Sequence, residues 1–205
     1  AVFSNCGFMG YPLMTALLGS IGVFYGSAYV VVFTVLTWTM GVYMITHDTS
    51  KLRLKSILLN PGVLSVAAAM VLYLLSVSLP EIVMTPLNYL ASMNTPLPTI
   101  VVGYQLSHAN FRHAFADRRS WTALVLRLAV IPLLTVGGCY VLQVDSAVAL
   151  VTVIAASTPP AALLSMFAQK FGSDTRLASS VVSVYTALSV LTIPPVVGLA
   201  QHLMG

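Results

Sequence analysis

The sequence predicts an all-α integral membrane protein with about seven transmembrane helices, two of them interrupted. Of its 205 residues, 58% are hydrophobic and 7% are charged, whereas a soluble domain carries about 25% charged residues. A helix needs about 20 apolar residues to cross the hydrocarbon core of a bilayer. Counting apolar windows of this kind gives seven segments, at about residues 1–19, 24–46, 62–79, 85–107, 120–142, 146–169 and 178–204.

The sixth segment is interrupted by a pair of prolines in the run Ser157-Thr158-Pro159-Pro160. Proline removes a backbone donor and clashes with the carbonyl one turn back, so a helix unwinds or kinks there. The polar groups freed in this way are tolerated at membrane depth only inside protein or beside a water-filled cavity. The first segment contains a second break of this kind, between Asn5 and Pro12. Interrupted helices in corresponding positions of two halves indicate the binding site of a transporter.

The basic residues predict the orientation of the chain. Eight of the nine lie in alternate connectors, which the positive-inside rule makes cytoplasmic: Lys51, Arg53, Lys55, Arg112, Arg118, Arg119, Lys170 and Arg176. This distribution explains the net charge of +4 without a nucleic-acid partner. Segments three to seven would then form one five-helix repeat, and segments one and two the end of an oppositely oriented repeat. We therefore expect an inverted-repeat fold that lacks its first three helices.

The polarity of the segments favours an anion as the ligand. None of them contains Asp or Glu, which opposes cation exchange through a buried carboxylate. The N-termini of half-helices carry partial positive charge. Arg127 is the one charged side chain within a segment; it either snorkels or pairs structurally, or it attracts the anion. Asn5 either caps a half-helix or binds the ligand.

Two residues beside the proline pair have alternative roles as well. The hydroxyls of Ser157 and Thr158 either bond to backbone groups that proline frees or bind the ligand. Gly22 and Gly26 have a small-xxx-small spacing, which leaves a homodimer open. The two cysteines lie in apolar runs without metal-ligand spacing, and no catalytic triad, phosphate-binding loop or redox motif is present. We predict no metal, no cofactor and no enzymatic activity.

Several motifs resemble the auxin efflux carrier family, which includes plant PIN carriers and bacterial malonate and malate permeases. Asn5-Cys6-Gly7-Phe8-Met9-Gly10-Tyr11-Pro12 is similar to its N-x-G-x-x-G-x-P element, and Asn60-Pro61 and Pro96-Leu97-Pro98 resemble the entries to its sixth and seventh helices. Ser157-Thr158-Pro159-Pro160 resembles its ninth helix. The resemblance covers the chain from the family's fourth helix to its tenth.

The resemblance implies two inverted five-helix repeats, with a scaffold domain and a transport domain whose fourth and ninth helices cross at prolines. Gly7, Gly10, Pro12, Pro159 and Pro160 would then form the crossing, and Asn5, Ser157 and Thr158 would lie near the substrate. The expected division of the chain is into the last helices of the first repeat, a cytoplasmic linker, scaffold-type helices and transport-domain helices, at residues 1–46, 47–61, 62–107 and 108–205.

The expected function is secondary transport of a small organic anion across the plasma or inner membrane by an elevator-type motion. A dicarboxylate such as malonate or malate and an auxin-like carboxylate both fit, and coupling to protons or to sodium stays open. Two alternatives remain: a bile-acid-type sodium symporter, which shares the crossed-helix plan, and a membrane module that senses a ligand or anchors a partner without transport.

Overall fold

The fold is helical throughout the described part of the chain. The computed structural model describes residues 3–46, 61–93, 96–107, 118–172 and 174–204. Within these ranges three helical stretches are long and apolar enough to cross a membrane: Cys6–Met44, Ser120–Val141 and Thr175–Met204. The prediction of an all-α membrane protein is therefore confirmed, while the inverted repeat stays a prediction.

The helices fall within or close to the seven predicted segments. We number them α1 (Tyr11–Leu36), α2 (Val42–Thr46), α3 (Pro61–Leu74), α4 (Glu81–Ser92), α5 (Pro96–Ser107), α6 (Arg118–Val125), α7 (Ile131–Val141), α8 (Ser146–Ser157), α9 (Leu163–Phe171) and α10 (Thr175–Met204). Three π-helical turns, at Cys6–Gly10, Thr37–Gly41 and Leu126–Val130, join or precede these helices. The cytoplasmic linker predicted at residues 47–61 and the basic residues around positions 112–117 lie almost entirely outside the described residues.

Helix α1 folds back on itself at Gly19. This residue has φ 59° and ψ −138°, a conformation that is open to glycine and strained for residues with a Cβ. The hydroxyl of Tyr11 donates a hydrogen bond to Ser27 Oγ at 3.1 Å, although in a straight helix residues 16 positions apart would be about 24 Å apart. Residues 6–18 and 20–46 are therefore the two arms of a hairpin, which we call the first arm and the second arm.

Gly22 and Gly26 allow the two arms to come into close contact. A Cβ atom on Gly22 would lie 2.3 Å from the carbonyl oxygen of Met14, and one on Gly26 would lie 2.7 Å from Met14 Sδ. The small-xxx-small spacing is therefore used within the chain, and it gives no support to the homodimer that the sequence left open.

Helix α8 lies at the centre of the packed core. It contacts α1, α7 and α10, and the side chains of Val151, Val153 and Ile154 are buried. Its N-terminus is capped by Asp145, whose carboxylate accepts from the backbone N–H groups of Ala147 and Val148 at 3.0 and 3.3 Å. Such a cap stabilises a helix by about 1 kcal/mol. Its C-terminus is the interruption predicted at the proline pair.

By contrast, α3 and α4 are peripheral. Every residue of α4 is exposed, including Ile82, Tyr89 and Leu90. Apolar side chains on an outer surface are what a bilayer accommodates. The scaffold role expected for residues 62–107 stays a prediction.

Candidate functional site

The two interrupted segments meet in a short antiparallel backbone pairing. The N–H of Asn5 donates to the carbonyl oxygen of Pro159 at 2.7 Å, and the N–H of Ala161 donates to the carbonyl oxygen of Phe3 at 3.0 Å. Ser4 and Pro160 are the bridged residues between these two bonds. We call this paired backbone, residues 3–5 with residues 159–161, the crossing.

The second break at the crossing has its polar groups paired. Helix α8 ends at Ser157 and α9 begins at Leu163, because Pro159 and Pro160 have no N–H with which to continue the helix. The Ser157 hydroxyl donates to the Val153 carbonyl at 2.7 Å. The Thr158 hydroxyl donates to the Ala155 carbonyl at 2.9 Å. The Thr158 hydroxyl thus replaces the backbone donor that Pro159 lacks, whereas the Ser157 hydroxyl bonds back to a carbonyl within α8.

Arg127 completes this arrangement from a different segment. It lies in the π-helical turn Leu126–Val130 and is only 5% exposed. Its guanidinium donates to the carbonyl oxygen of Thr158 from Nε at 3.2 Å and from Nη2 at 2.8 Å. The carbonyl groups at a helix C-terminus carry partial negative charge, so a cation is stabilised there. Arg127 is therefore a buried structural partner of the break, and it brings a positive charge to the crossing.

The first break contains buried polar groups without hydrogen-bond partners among the described residues. The backbone oxygen of Asn5 accepts from the N–H groups of Met9 and Gly10 at 3.0 and 3.3 Å, but its side chain makes no capping bond. Asn5 is 3% exposed, and its Nδ2 has no hydrogen-bond partner among the described residues. The same holds for the hydroxyl of Ser4, which is also 3% exposed. A buried donor without a partner costs about 1–3 kcal/mol, so a ligand or water at this place would be stabilising.

The remaining residues of the N-x-G-x-x-G-x-P element lie in the helical part of the first arm. A Cβ atom on Gly10 would contact Thr158 Cγ2 at 3.8 Å, whereas one on Gly7 would contact nothing within 4 Å. Pro12 is in the first turn of α1, where its missing N–H is tolerated. The interruption in this half therefore precedes Pro12 by seven residues, and Pro12 takes no part in the backbone pairing.

A cavity adjoins the crossing on the side of the second arm. Its volume is about 260 Å³, enough for a small organic molecule. Its lining is mainly aromatic and aliphatic, with one serine and one tyrosine, and consists of Phe3, Ser4, Tyr29, Val32, Phe33 and Leu36. No sequence pattern predicted this cavity, because Phe3 and Ser4 are held beside it by backbone pairing with residues 160 and 161, far along the chain.

The described residues contain no group of three or more His, Cys, Asp or Glu side chains that could hold a metal ion. Cys6 and Cys139 are free and buried. The histidines at positions 108 and 113 lie outside the described residues. The polar chemistry around the crossing therefore consists of an amide, hydroxyl groups and one guanidinium.

Comparisons with known proteins agree with a role in the membrane. A family model described as membrane transport protein matches residues 45–197. The chain is 30% identical over 204 residues to an uncharacterized transporter of Methanothermobacter thermautotrophicus. That alignment covers 95% of this chain and 64% of the relative, so the chain spans a little under two thirds of the relative's length. No solved structure matches the chain.

Proposed function

The chain belongs to the membrane transport protein family, the auxin efflux carrier family that its motifs resemble, and we propose that it carries the substrate site of a secondary transporter for a small organic anion. The observation that carries the proposal is the buried, unpartnered amide of Asn5 at the crossing. A carboxylate oxygen could accept a hydrogen bond from this amide, and interrupted helices are where transporters of several folds bind their substrates.

The charges around the crossing support an anion over a cation. Arg127 is the charged side chain buried there, and only 5% of this residue is exposed. The acidic residues of the described chain lie at helix ends instead: Glu81 in the first turn of α4, Asp145 as the cap of α8, and Asp174 before α10. An anion at Asn5 would also lie at the N-terminus of the first arm, where backbone N–H groups and the helix dipole favour negative charge.

Ser157 and Thr158 take a secondary place in this proposal. Their hydroxyl hydrogens already bond within α8, so they would have to rotate away to donate to a ligand. Asn5 is the primary contact, and Arg127 contributes through its field and through the Thr158 carbonyl that it holds. Malonate, malate and an auxin-like carboxylate remain the candidate substrates.

The motion proposed is of the elevator type. The crossing ties the two breaks together by two backbone hydrogen bonds, and α8 packs against both α1 and α10. These elements would move as one body and carry the bound anion past the rest of the protein. Coupling to a proton or sodium gradient across the cell membrane would supply the driving force.

Uptake by reconstituted protein tests the proposal. The full-length protein is placed in liposomes, and uptake of labelled malonate, malate and phenylacetate is measured under imposed pH and sodium gradients. We expect saturable uptake of at least one of them, and a loss of about tenfold or more in Asn5→Ala, which corresponds to about 1.4 kcal/mol.

The matched control is Asn88→Ala, because Asn88 is exposed on the peripheral helix α4. It should leave uptake unchanged. Absence of uptake of any carboxylate under every gradient would refute the proposal. Uptake that depends strictly on sodium would favour the bile-acid-type symporter, and binding without uptake would favour the sensor or anchor.

A further inference from the structure

The second arm contains another buried hydroxyl, that of Thr37, without a hydrogen-bond partner among the described residues. Thr37 begins the π-helical turn Thr37–Gly41, is 2% exposed, and its Oγ1 has no hydrogen-bond partner among the described residues. π-helical turns inside α-helices often occur at functional sites. A buried hydroxyl of this kind needs an acceptor or a donor from outside the described chain.

The neighbours of Thr37 show which way this face of the second arm points. Phe33 and Gly41 lie about one helical turn before and after Thr37, so the three share a face. The ring of Phe33 packs edge-on against the ring of Phe3, with centroids 5.9 Å apart. A Cβ atom on Gly41 would lie 3.0 Å from Phe3 Cε2. The face that carries Thr37 is therefore packed on Phe3, two residues before Asn5.

We infer that Thr37 is a further ligand-contacting residue, whose hydroxyl donates a hydrogen bond to the same organic anion that Asn5 binds. The inference rests on the proposed function and extends its site from the crossing to the second arm. Ser4 and Thr37 provide hydroxyl donors, Asn5 provides an amide donor, and all three are at least 97% buried without a partner among the described residues. Of the three, Ser4 also lines the cavity beside the crossing, and unused donors suit a ligand rich in acceptors.

The cavity supports the same extension. It is bounded by Phe3 and Ser4 on one side and by Tyr29, Val32, Phe33 and Leu36 of the second arm on the other. A ligand in this cavity would contact Ser4, the residue before Asn5, and Leu36, the residue before Thr37. The binding energy would be shared between the arm that carries the break and the arm that follows the turn at Gly19.

The test compares two threonines of the same π-helical turn. Thr37→Val removes the spare hydroxyl and preserves the shape of the side chain, and Thr37→Ser keeps the hydroxyl. The matched control is Thr39→Val, because the Thr39 hydroxyl already donates to the Val35 carbonyl at 2.7 Å. We expect Thr37→Val to raise the KM for the transported carboxylate by about tenfold, a loss typical of one hydrogen bond.

Thr37→Ser and Thr39→Val should stay within about twofold of the wild type. The thermal unfolding midpoint of Thr37→Val should not fall, since the lost hydroxyl has no partner within the described protein. An unchanged KM in Thr37→Val would overturn the inference and assign the hydroxyl to bound water. A lower midpoint with unchanged KM would assign it to packing, which also overturns the inference.

A second measurement does not depend on transport of the cargo. Binding of malonate, malate and phenylacetate to the protein in detergent is measured as the rise in the thermal unfolding midpoint at saturating ligand. We expect a rise for the wild type, Thr37→Ser and Thr39→Val, and a smaller rise for Thr37→Val. An equal rise in Thr37→Val and the wild type, or no rise in the wild type, overturns the inference. Binding that Thr37→Val weakens, without uptake of any of the three carboxylates, would instead refute the proposed function and keep the anion site.

Discussion

The two interrupted segments that meet at the crossing are held by different forces. In the second, hydrogen bonds account for the side chains and for the freed carbonyls of Thr158 and Pro159. In the first, the Ser4 hydroxyl and the Asn5 Nδ2 have no partners among the described residues. The side-chain hydroxyls of the second break thus already have hydrogen-bond partners. The first break has side-chain donors that remain available to a ligand.

The first break is positioned by close packing and by the two backbone hydrogen bonds of the crossing. Gly22 lies against the backbone of Met14, and Gly41 lies against the ring of Phe3. Close contact at these glycines and the hydrogen bond from Tyr11 to Ser27 fix the two arms, and neither uses the side chain of Ser4 or Asn5. A segment held by packing and by backbone hydrogen bonds can leave its polar side chains free. This difference supports the proposal that the ligand binds at Asn5, and the predictions below test it in order of their expected effect on stability.

Gly22→Ala should have the largest effect on stability. The new Cβ would lie 2.3 Å from the Met14 carbonyl oxygen and 2.8 Å from Leu18 Cβ, so the two arms would have to separate. We expect a loss of about 3 kcal/mol, at the upper end for overpacking, measured as a lower thermal unfolding midpoint in detergent.

The control for this substitution is Gly198→Ala on α10. A Cβ at Gly198 would contact nothing within 4 Å, and alanine in a helix is favoured over glycine by up to about 1 kcal/mol. A Gly22→Ala protein that is as stable as the wild type but loses self-association would show that the glycine pair serves a dimer instead of the hairpin.

Arg127→Gln should have the next largest effect. It removes both guanidinium donors from the Thr158 carbonyl and leaves a buried acceptor poorly paired, which costs about 2 kcal/mol. Unfolding in detergent measures this loss. Arg176→Gln is the control, because Arg176 is exposed at the start of α10 and should change stability by about 0.5 kcal/mol or less.

Arg127→Lys separates the structural role of this residue from its electrostatic one. Lysine keeps the positive charge but cannot reproduce the planar pair of donors. If the charge attracts the anion, the lysine variant should restore the KM more completely than it restores stability. Equal recovery of both quantities would mean that Arg127 acts only by holding the break.

Pro159→Ala should impair transport more than folding. Alanine restores an N–H at position 159 that can donate to the Ala155 carbonyl, which now accepts from the Thr158 hydroxyl. Helix α8 would then extend into the crossing and disturb the bond from Asn5 to Pro159. We expect a change in stability of about 1 kcal/mol and uptake reduced by at least about tenfold.

Pro86→Ala is the control, since Pro86 lies inside the exposed helix α4. It should leave uptake unchanged. Normal uptake in Pro159→Ala would show that the crossing does not depend on the proline. The proposed difference between a structural role for the second break and a binding role for the first would then be contradicted.

The features that the sequence predicted correctly are local ones. Apolar run length located the helical segments, the proline pair located the end of α8, and the gap between the first two predicted segments, 1–19 and 24–46, located a turn, which the structure places at Gly19. Each depends on a few neighbouring residues, so it can be read without knowledge of the tertiary fold.

The features that it did not predict depend on residues far apart in the chain. Residues 3–5 pair with residues 159–161, which lie far along the chain. No pattern close to Pro12 could therefore show that the backbone pairing occurs at Asn5, seven residues before this proline. For Arg127 the sequence left snorkelling, pairing and anion attraction open. Its position within the segment can be read from the sequence, but its partner, the Thr158 carbonyl, is 31 residues away. Packing on Phe3 likewise gives Thr37 its position.

Ser157→Ala should have the smallest effect on stability, and it decides between the two roles left open for the serine. Its hydroxyl bonds to the Val153 carbonyl in the same helix, and such a bond within a helix contributes about 1 kcal/mol or less. We expect a small drop in the unfolding midpoint and a KM within about twofold of the wild type, in contrast to Asn5→Ala. If Ser157→Ala raises the KM as much as Asn5→Ala does, the serine binds the anion. Both interrupted segments would then contact the ligand, and the second would not serve a structural role alone.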